Sequence, residues 1–271
     1  MGIPKGGIGF FDSGIGGLTV LSACAEKLKG ENFYYLGDNK RAPYGNLTPK
    51  RIQKYVDRAF RVFARLHVQA VVIACNTATA VCIESLRKKY TFPIIGMEPA
   101  VFPAMKKGEN VLVLTTVATY RSKRFQNLCG EARRKYPNTK LTEIACPDLA
   151  GGIEKKIGEQ GIDWGRILPE YSPDVVVLGC THYIYIKKDI ARYYGCEVID
   201  GNVGVANQLK RVLKKNKKKN TKWLKKKKIR RKTNRIFFLG SRKAYNKHVY
   251  EQMFALKRSK MGRKWSSIPK N

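Results

Sequence analysis

Nine short segments of the chain are apolar or β-branched along most of their length, and Gly, Pro, Asn or Asp bound most of them. Such runs predict buried β-strands. In chain order they read IGFF, NFYYL, QAVVIA, FPIIG, NVLVL, KLTEIA, DVVVLG, CEVID and RIFFL. Helical spacing of apolar residues predicts helices over Leu18 to Leu28, Pro49 to Leu66, Ala78 to Tyr90, Ser122 to Tyr136, Ile153 to Gln160, Tyr185 to Tyr194 and Val203 to Leu213. Thr48 before Pro49 predicts a hydroxyl cap followed by proline at the first helical position.

This alternation of strands and helices favours largely parallel sheets that are covered on both faces. The segments QAVVIACNTATA and DVVVLGCTHYIY echo one another, because each is a buried strand that leads into Cys, a small polar residue and a helix-like stretch. We therefore predict an α/β fold of two similar domains, with mainly parallel sheets and the active site in the cleft between them. The first domain is predicted over residues 1–96 and 202–271, and the second over residues 97–201.

Residues with reactive or polar side chains follow four of the predicted strands. They are Asp12-Ser13 after IGFF, Gly37-Asp38 after NFYYL, Cys75-Asn76-Thr77 after QAVVIA, and Cys180-Thr181-His182 after DVVVLG. Chemistry in parallel α/β folds gathers beyond the carboxyl ends of the strands. A cysteine that leads from a strand into a helix lies near free N–H groups, which stabilise a thiolate. We therefore single out Cys75 and Cys180, and interpret the other five cysteines as small buried residues in a reducing compartment.

The loop DSGIGG after the first strand has three glycines in four positions, which permits close backbone approach. It lacks the lysine of a P-loop, and Thr19 takes the last position of the dinucleotide pattern, so a nucleotide site is disfavoured. Tyr44, in Pro43-Tyr44-Gly45, fits a core position and a ligand-binding position equally well.

His182 follows Cys180 by two residues, which favours a role in the site. His67 and His248 have no such neighbours. The cysteines and histidines do not show the spacing of metal ligands, so no metal site is predicted.

Charge adds a second feature. Lys and Arg number 54 against 20 Asp and Glu, a formal net charge of +34. Much of it lies in Lys210 to Lys232, KRVLKKNKKKNTKWLKKKKIRRK. A block of like charges is typical of a solvated loop or a frayed helix, and it also suits contact with nucleic acid, an anionic membrane or another acidic polymer. It predicts salt-sensitive binding to polyanions.

Length and composition narrow the class of protein. With 271 residues, 43% of them hydrophobic, the chain can bury a substantial core. The N-terminus is rich in Gly and lacks the apolar core of a signal peptide. No stretch approaches the roughly 18 apolar residues of a membrane span. We therefore predict a cytoplasmic protein without a membrane span.

Four motifs, DSGIGGLTVL, YLGDNKRAPYG, ACNTATA and LGCTHY, resemble those of glutamate racemase, in the aspartate/glutamate racemase superfamily, in order and approximate spacing. GMEPA and TTVATYRS resemble further segments of that family, and the similarity covers roughly residues 8–210. The resemblance implies two α/β domains with the active site between them, without pyridoxal phosphate, another cofactor or a metal. It also implies interconversion of L- and D-glutamate for peptidoglycan synthesis, and so a part in cell wall biogenesis and cell shape.

Matched motif by motif, Cys75 and Cys180 take the places of the two catalytic cysteines. The resemblance makes Asp12 and His182 the assisting residues beside them, and Glu154 in LAGGIEKK a further assisting carboxylate. The substrate-binding residues implied are Asp12, Ser13, Tyr44, Gly45, Asn76, Thr77, Thr181 and His182. Two positions depart from the family pattern, Ile184, where Pro is usual, and Ser241, where an acid is usual.

The chemistry of racemisation agrees with a pair of thiols. A weakly acidic Cα proton leaves one face and another arrives on the opposite face, so two acid/base groups are the minimum. Two alternatives stay open: an aspartate racemase, which uses the same paired thiols and differs in pocket size, and a polyanion-binding protein on a racemase scaffold. The candidate partners are glutamate as small-molecule substrate, a second copy of the chain in a homodimer, and polyanions at residues 210–232.

Overall fold

The structure of the protein is a computed structural model that describes residues 5–156, 163–219, 233–240 and 242–258. Its strands are β1 (Ile8–Asp12), β2 (Asn32–Gly37), β3 (Ala70–Ile73), β4 (Ile94–Gly96), β5 (Asn110–Thr115), β6 (Lys140–Ala145), β7 (Val175–Gly179), β8 (Glu197–Ile199) and β9 (Arg235–Leu239). Its α-helices are α1 (Gly17–Lys27), α2 (Pro49–Arg65), α3 (Asn76–Lys89), α4 (Val101–Ala104), α5 (Val117–Tyr120), α6 (Lys123–Lys135), α7 (Leu149–Lys156), α8 (Lys187–Tyr194), α9 (Asn202–Lys219) and α10 (Lys243–Arg258). Short 3-10 helices cover Asn39–Arg41, Tyr44–Asn46, Trp164–Arg166 and Thr181–Ile186.

The strands form two sheets, which we call sheet A and sheet B. Sheet A has the order β4-β3-β1-β2-β9, and sheet B the order β6-β5-β7-β8. Every pairing in both sheets is parallel. The predicted α/β class with mainly parallel sheets is therefore confirmed.

This strand order places one crevice in each sheet. In sheet A the chain leaves β1 toward β2 and leaves β3 toward β4, on opposite sides, so the loops after β1 and β3 diverge. Sheet B repeats the arrangement with β5 and β7. Such topological switch points are where parallel α/β sheets bind ligands. The two switch points therefore select the loops after β1, β3, β5 and β7.

Apolar layers cover both faces of each sheet. In β1, Phe10 packs into one buried cluster and Phe11 into another. In β7, Val176 and Val177 are likewise divided between two clusters. Successive side chains of a strand point to opposite faces, so a strand that is apolar throughout needs cover on both. The continuous apolar runs in the sequence are explained by this double burial.

The helix predictions differ from the structure at several ends. Helix α9 runs to Lys219, so the first part of the basic block is helical, because Val205, Leu209 and Leu213 bury one face of it. Residues 220–232 of that block lie outside the described residues, as do residues 157–160 of the helix predicted from Ile153. Helix α10 was not predicted at all.

The prediction of a hydroxyl cap on α2 was only partly right. Pro49 occupies the first turn of the helix, and Thr48 is the N-cap residue, but its side chain makes no capping hydrogen bond. The start of α2 is thus set by the backbone preference of proline.

None of the helices in the described part of the chain has the length and apolar content that a membrane crossing requires.

The domain boundaries at residues 96 and 202 remain a prediction. Ile184 is half-buried in the 3-10 helix Thr181–Ile186, whereas Ser241 lies outside the described residues.

Candidate active site

The loops at the two switch points meet, and side chains from sheet A touch side chains from sheet B. Thr181, after β7, donates its hydroxyl hydrogen bond to Asp12 Oδ2, at the end of β1, over 3.2 Å. Thr77, after β3, lies 2.9 Å from Thr116, after β5, between hydroxyl oxygens. Residues far apart in the chain thus form one site between the sheets.

Cys75 lies at the N-terminus of α3, as the sequence predicts. The backbone N–H of Ala78 donates to its Sγ over 3.4 Å, and its Sγ lies 3.7 Å from the hydroxyl oxygen of Ser13. Burial nevertheless raises the pKa of the Cys75 thiol, and the charge of Asp12 raises it further, against the opposing effect of the Ala78 N–H. In this closed arrangement the thiol is therefore the stable form, and the helix terminus alone does not make it a thiolate.

Cys180 has a different environment from Cys75. It precedes the 3-10 helix Thr181–Ile186, and its side chain caps no backbone N–H. Its Sγ lies 3.8 Å from Nδ1 of His182. The partner of this sulfur is consequently an imidazole, and the predicted stabilisation by an α-helix N-terminus does not apply to Cys180.

His182 in turn pairs with Glu154, from α7. Its Nε2 lies 2.6 Å from Glu154 Oε2. Burial lowers the pKa of His182, but the charge of Glu154 and the contact with Cys180 raise it, and the net pKa is well above its usual range. His182 is therefore a cation that can donate to the sulfur of Cys180 on one side and to Glu154 on the other.

Asp12 is fully buried between these two cysteine environments. One carboxylate oxygen accepts from the N–H of Gly14 over 2.9 Å, and the other accepts from Thr181. Burial raises the pKa of Asp12, although the charge of His182 opposes the shift. Asp12 thus joins the loop after β1 to the loop after β7.

Two glycines of the loop after β1 allow this close approach. A methyl group on Gly14 would lie 3.0 Å from both His182 Nε2 and Glu154 Oε2. A methyl group on Gly16 would clash with the hydroxyl oxygen of Thr181. The glycine-rich loop therefore provides space for the ion pair and for Thr181.

Tyr44 is buried, and its hydroxyl donates to Asp38 Oδ2 over 2.7 Å. Its ring lies against Phe11, with a centroid distance of 6.1 Å. A methyl group on Gly45 would lie 2.8 Å from Cβ of Thr116, so the Tyr44–Asn46 turn packs against sheet B. The core position of Tyr44 is confirmed by its burial, and its role in ligand binding remains a prediction.

Two residues that the sequence analysis left out of the site belong to this wall. Thr116 and Thr119 lie 2.9 and 3.2 Å from the hydroxyl of Thr77. Both follow β5, so the strand-end rule that selected the other residues also applies to them. Asn76 is buried beside Thr77, and its Nδ2 has no hydrogen-bond partner among the described residues. These side chains offer several donors for an anionic ligand.

The predicted site residues are brought together, and nearly all of them are buried. Cys75 and Cys180 expose 5% and 7% of their surface. Over the described ranges, no group of three or more His, Cys, Asp or Glu is arranged to hold a metal ion. The site can carry acid/base chemistry on a small anion, with one thiol contributed beside each sheet.

Comparison with known proteins places the chain in a family. The family model described as Asp/Glu/hydantoin racemase matches residues 16–209. The chain belongs to this racemase family. The racemase is 41% identical over 232 residues to the glutamate racemase of Clostridium novyi strain NT, which covers 81% of this chain and 88% of that relative.

Solved structures of glutamate racemases share the racemase fold. An isoform from Bacillus anthracis has a TM-score of 0.71 at 27% identity, over 93% of this chain and 95% of its own. The enzyme from Francisella tularensis, in complex with D-glutamate, has a TM-score of 0.72 at 25% identity, over 95% of this chain and 96% of its own. Both cover almost the whole racemase chain.

Proposed function

We propose that this racemase interconverts L- and D-glutamate by two-thiol acid/base catalysis, with Cys75 and Cys180 as the two proton carriers. The observation that supports this most directly is the pair of buried cysteines at the switch points of sheets A and B. Each sulfur has a polar partner of its own, Ser13 for Cys75 and His182 for Cys180. By its membership in the family, the racemase would supply D-glutamate for peptidoglycan synthesis.

One sulfur, as thiolate, removes the Cα proton, and the other, as thiol, donates a proton to the opposite face. The imidazolium of His182 lies 3.8 Å from the sulfur of Cys180 and is the group placed to exchange a hydrogen bond with it, and the charge of Glu154 keeps that imidazole protonated. Asp12 lies near Cys75 and raises the pKa of its thiol, which favours the proton-donating form of Cys75. By family resemblance, Cys75 acts on D-glutamate and Cys180 acts on L-glutamate.

The carbanion places negative charge on the α-carboxylate, which therefore needs fixed hydrogen-bond donors. The Nδ2 of Asn76, which lacks a hydrogen-bond partner within the described part of the chain, is one such donor. The hydroxyl groups of Ser13, Thr77 and Thr181 surround the same site, and the Tyr44–Gly45 turn closes it. We assign substrate binding to these residues and add Thr116 and Thr119 from sheet B.

Deuterium incorporation tests the two-carrier scheme. In deuterated water, during the first few per cent of turnover, the product enantiomer should carry deuterium almost completely while recovered substrate stays protiated. The reason is that the group that removes the proton never returns it to the other face. Substantial protium in early product would contradict two separate carriers.

Single substitutions test the identity of the carriers. Cys75→Ala and Cys180→Ala should each abolish detectable racemisation, since an acid/base group contributes about 10²- to 10⁴-fold. Cys82→Ala is a matched control, because Cys82 is a buried cysteine of α3 outside the site. Racemisation by either of the first two variants at the rate of the control would refute the assignment.

The alternative substrate is aspartate, which is one methylene shorter. We favour glutamate because the relatives aligned above are glutamate racemases. Incubating the pure racemase with each L-amino acid and measuring chirality decides between the two. Faster racemisation of aspartate would overturn our choice.

Contact with polyanions is a second candidate property. Helix α9 presents the exposed cations Lys210, Arg211, Lys214 and Lys215 opposite its buried face. Retention of nucleic acid at physiological salt would support this property, and its loss there would reject it.

A homodimer remains a prediction. We also propose a cytoplasmic location, because all seven cysteines are unpaired.

A further inference from the structure

Behind the catalytic loop, which we define as Ser13–Ile15, lies a second cluster of polar atoms. A methyl group on Gly37 would lie 2.8 Å from Asn39 Oδ1, 2.8 Å from the carbonyl oxygen of Gly14 and 2.9 Å from Asn246 Nδ2. These atoms come from the 3-10 helix after β2, from the catalytic loop and from α10. No two of these atoms can therefore be more than about 5.7 Å apart, a span that one water molecule can bridge with two hydrogen bonds.

The two amide side chains in this cluster, those of Asn39 and Asn246, are buried. Asn39 exposes 7% of its surface and Asn246 exposes none. Neither the nitrogen nor the oxygen of either side chain has a hydrogen-bond partner among the described residues. Buried amides are almost always hydrogen-bonded, because leaving them unpaired forfeits their bonds to water. The cluster therefore requires an occupant that both donates and accepts.

The chemistry of these three atoms identifies that occupant. Asn39 Oδ1 and the carbonyl oxygen of Gly14 accept hydrogen bonds, whereas Asn246 Nδ2 donates one. A water molecule matches this set, since it can donate to both oxygens and accept from the nitrogen. An anion would be repelled by the two oxygens, and a metal ion by the N–H group.

We propose that Asn39, Asn246 and the Gly14 carbonyl hold a buried water molecule that couples α10 to the catalytic loop, which makes both asparagines positioning residues. Gly14 connects this water molecule to the catalytic residues. Its N–H donates to Asp12, its carbonyl accepts from Tyr35 over 2.7 Å, and its α-carbon lies against the His182–Glu154 pair. The water adds a second hydrogen bond to the carbonyl oxygen of Gly14 and so helps to fix the position of this residue.

The catalytic part of this inference rests on the proposed function, whereas the water site itself does not. A crystal structure of the full chain at a resolution that shows ordered solvent tests the site directly. The expected result is a water molecule within about 2.7 to 3.2 Å of all three atoms. Direct hydrogen bonds between the two asparagines, or an ion bound between the three atoms, would overturn the proposal.

Kinetics test the positioning role. Asn246→Leu keeps the size of the side chain and removes its polar atoms, so kcat for L-glutamate should fall about tenfold with KM within about twofold, as expected when geometry and not binding is lost. Asn246→Ser leaves a hydroxyl and space for solvent, and should recover most of that loss. Asn39→Leu and Asn39→Ser repeat the comparison from the other side of the water.

Val249→Ala is the matched control, because Val249 is a fully buried residue of α10 outside the polar cluster. It should lower the melting temperature without lowering kcat. The positioning role is refuted if Val249→Ala loses as much kcat as Asn246→Leu, or if both leucine variants keep the kcat of the unmodified chain. Failure of the unmodified racemase to act on glutamate would instead reject the proposed function and leave the crystallographic test standing.

Discussion

Replacing Glu154 with Gln should change the pH dependence of racemisation more than any other property. Glutamine can still accept a hydrogen bond from Nε2 of His182 but carries no charge. An opposite charge at this range shifts a pKa by about 1 to 3 units, and each unit corresponds to about 1.4 kcal/mol. Because burial already lowers the pKa of His182, loss of Glu154 should return it toward its ordinary value of about 6.5 or below.

The magnitude of the rate loss follows from this pKa. A group of pKa about 6.5 is protonated to only about 3% at pH 8, so the variant should lose about 30-fold in kcat/KM there. The sign is definite, because the raised pKa in the unmodified racemase keeps His182 protonated to higher pH. As the pH rises, activity that requires imidazolium should therefore decline earlier in Glu154→Gln than in the unmodified racemase. The activity of the variant should recover as the pH falls toward 6.

The assay is kcat/KM for both enantiomers across pH 6 to 9. The two enantiomers have equal free energy in water, so the two kcat/KM values must fall together, which checks the data internally. Glu197→Gln is the control, since that exposed carboxylate pairs with Lys107 away from the site. An equal loss at pH 6 and pH 8, with circular dichroism unchanged, would refute the role of the His182–Glu154 charge pair.

Two further predictions concern the loop and the basic block. Gly14→Ala should lower kcat/KM at least 10-fold with little loss of helical signal, because its methyl group would press on Glu154 and His182 at 3.0 Å; activity like that of the unmodified chain would contradict this packing. Deleting Lys214 to Lys232 with a short flexible linker in its place should keep activity within about tenfold and raise KM mainly at low salt, as loss of electrostatic steering requires. An inactive or unfolded product would show that the block is structural.

Local patterns in the sequence predicted much of the fold. Each strand of sheets A and B coincides with one of the apolar runs, because a strand covered on both faces has mainly apolar side chains. The start of α2 at Pro49 and the positions of Cys75 and Cys180 after their strands were also predicted. These features depend on residues within a few positions of one another.

Predictions were weaker wherever the deciding partner was distant in the chain. The helix predicted to end at Leu213 continues to Lys219 as α9. Its apolar face packs with residues of α1 in one buried cluster, and that distant partner does not show in the charge pattern of the basic block. Helix α10 was missed because its fit against β2 and β9 does not show in its own residues. The helix terminus predicted for Cys180 proved to be a 3-10 helix.

The sequence by itself determined which residue types stand at the strand ends, and family resemblance named Glu154. Only the tertiary structure decided that Glu154 pairs with His182 and that Thr116 and Thr119 contact Thr77. It also decided that Asn246 lies close to the carbonyl group of Gly14. The physical reason is that strand order sets which loops meet. A local pattern predicts a strand, but the choice of its neighbours in the sheet is settled by packing across the whole chain.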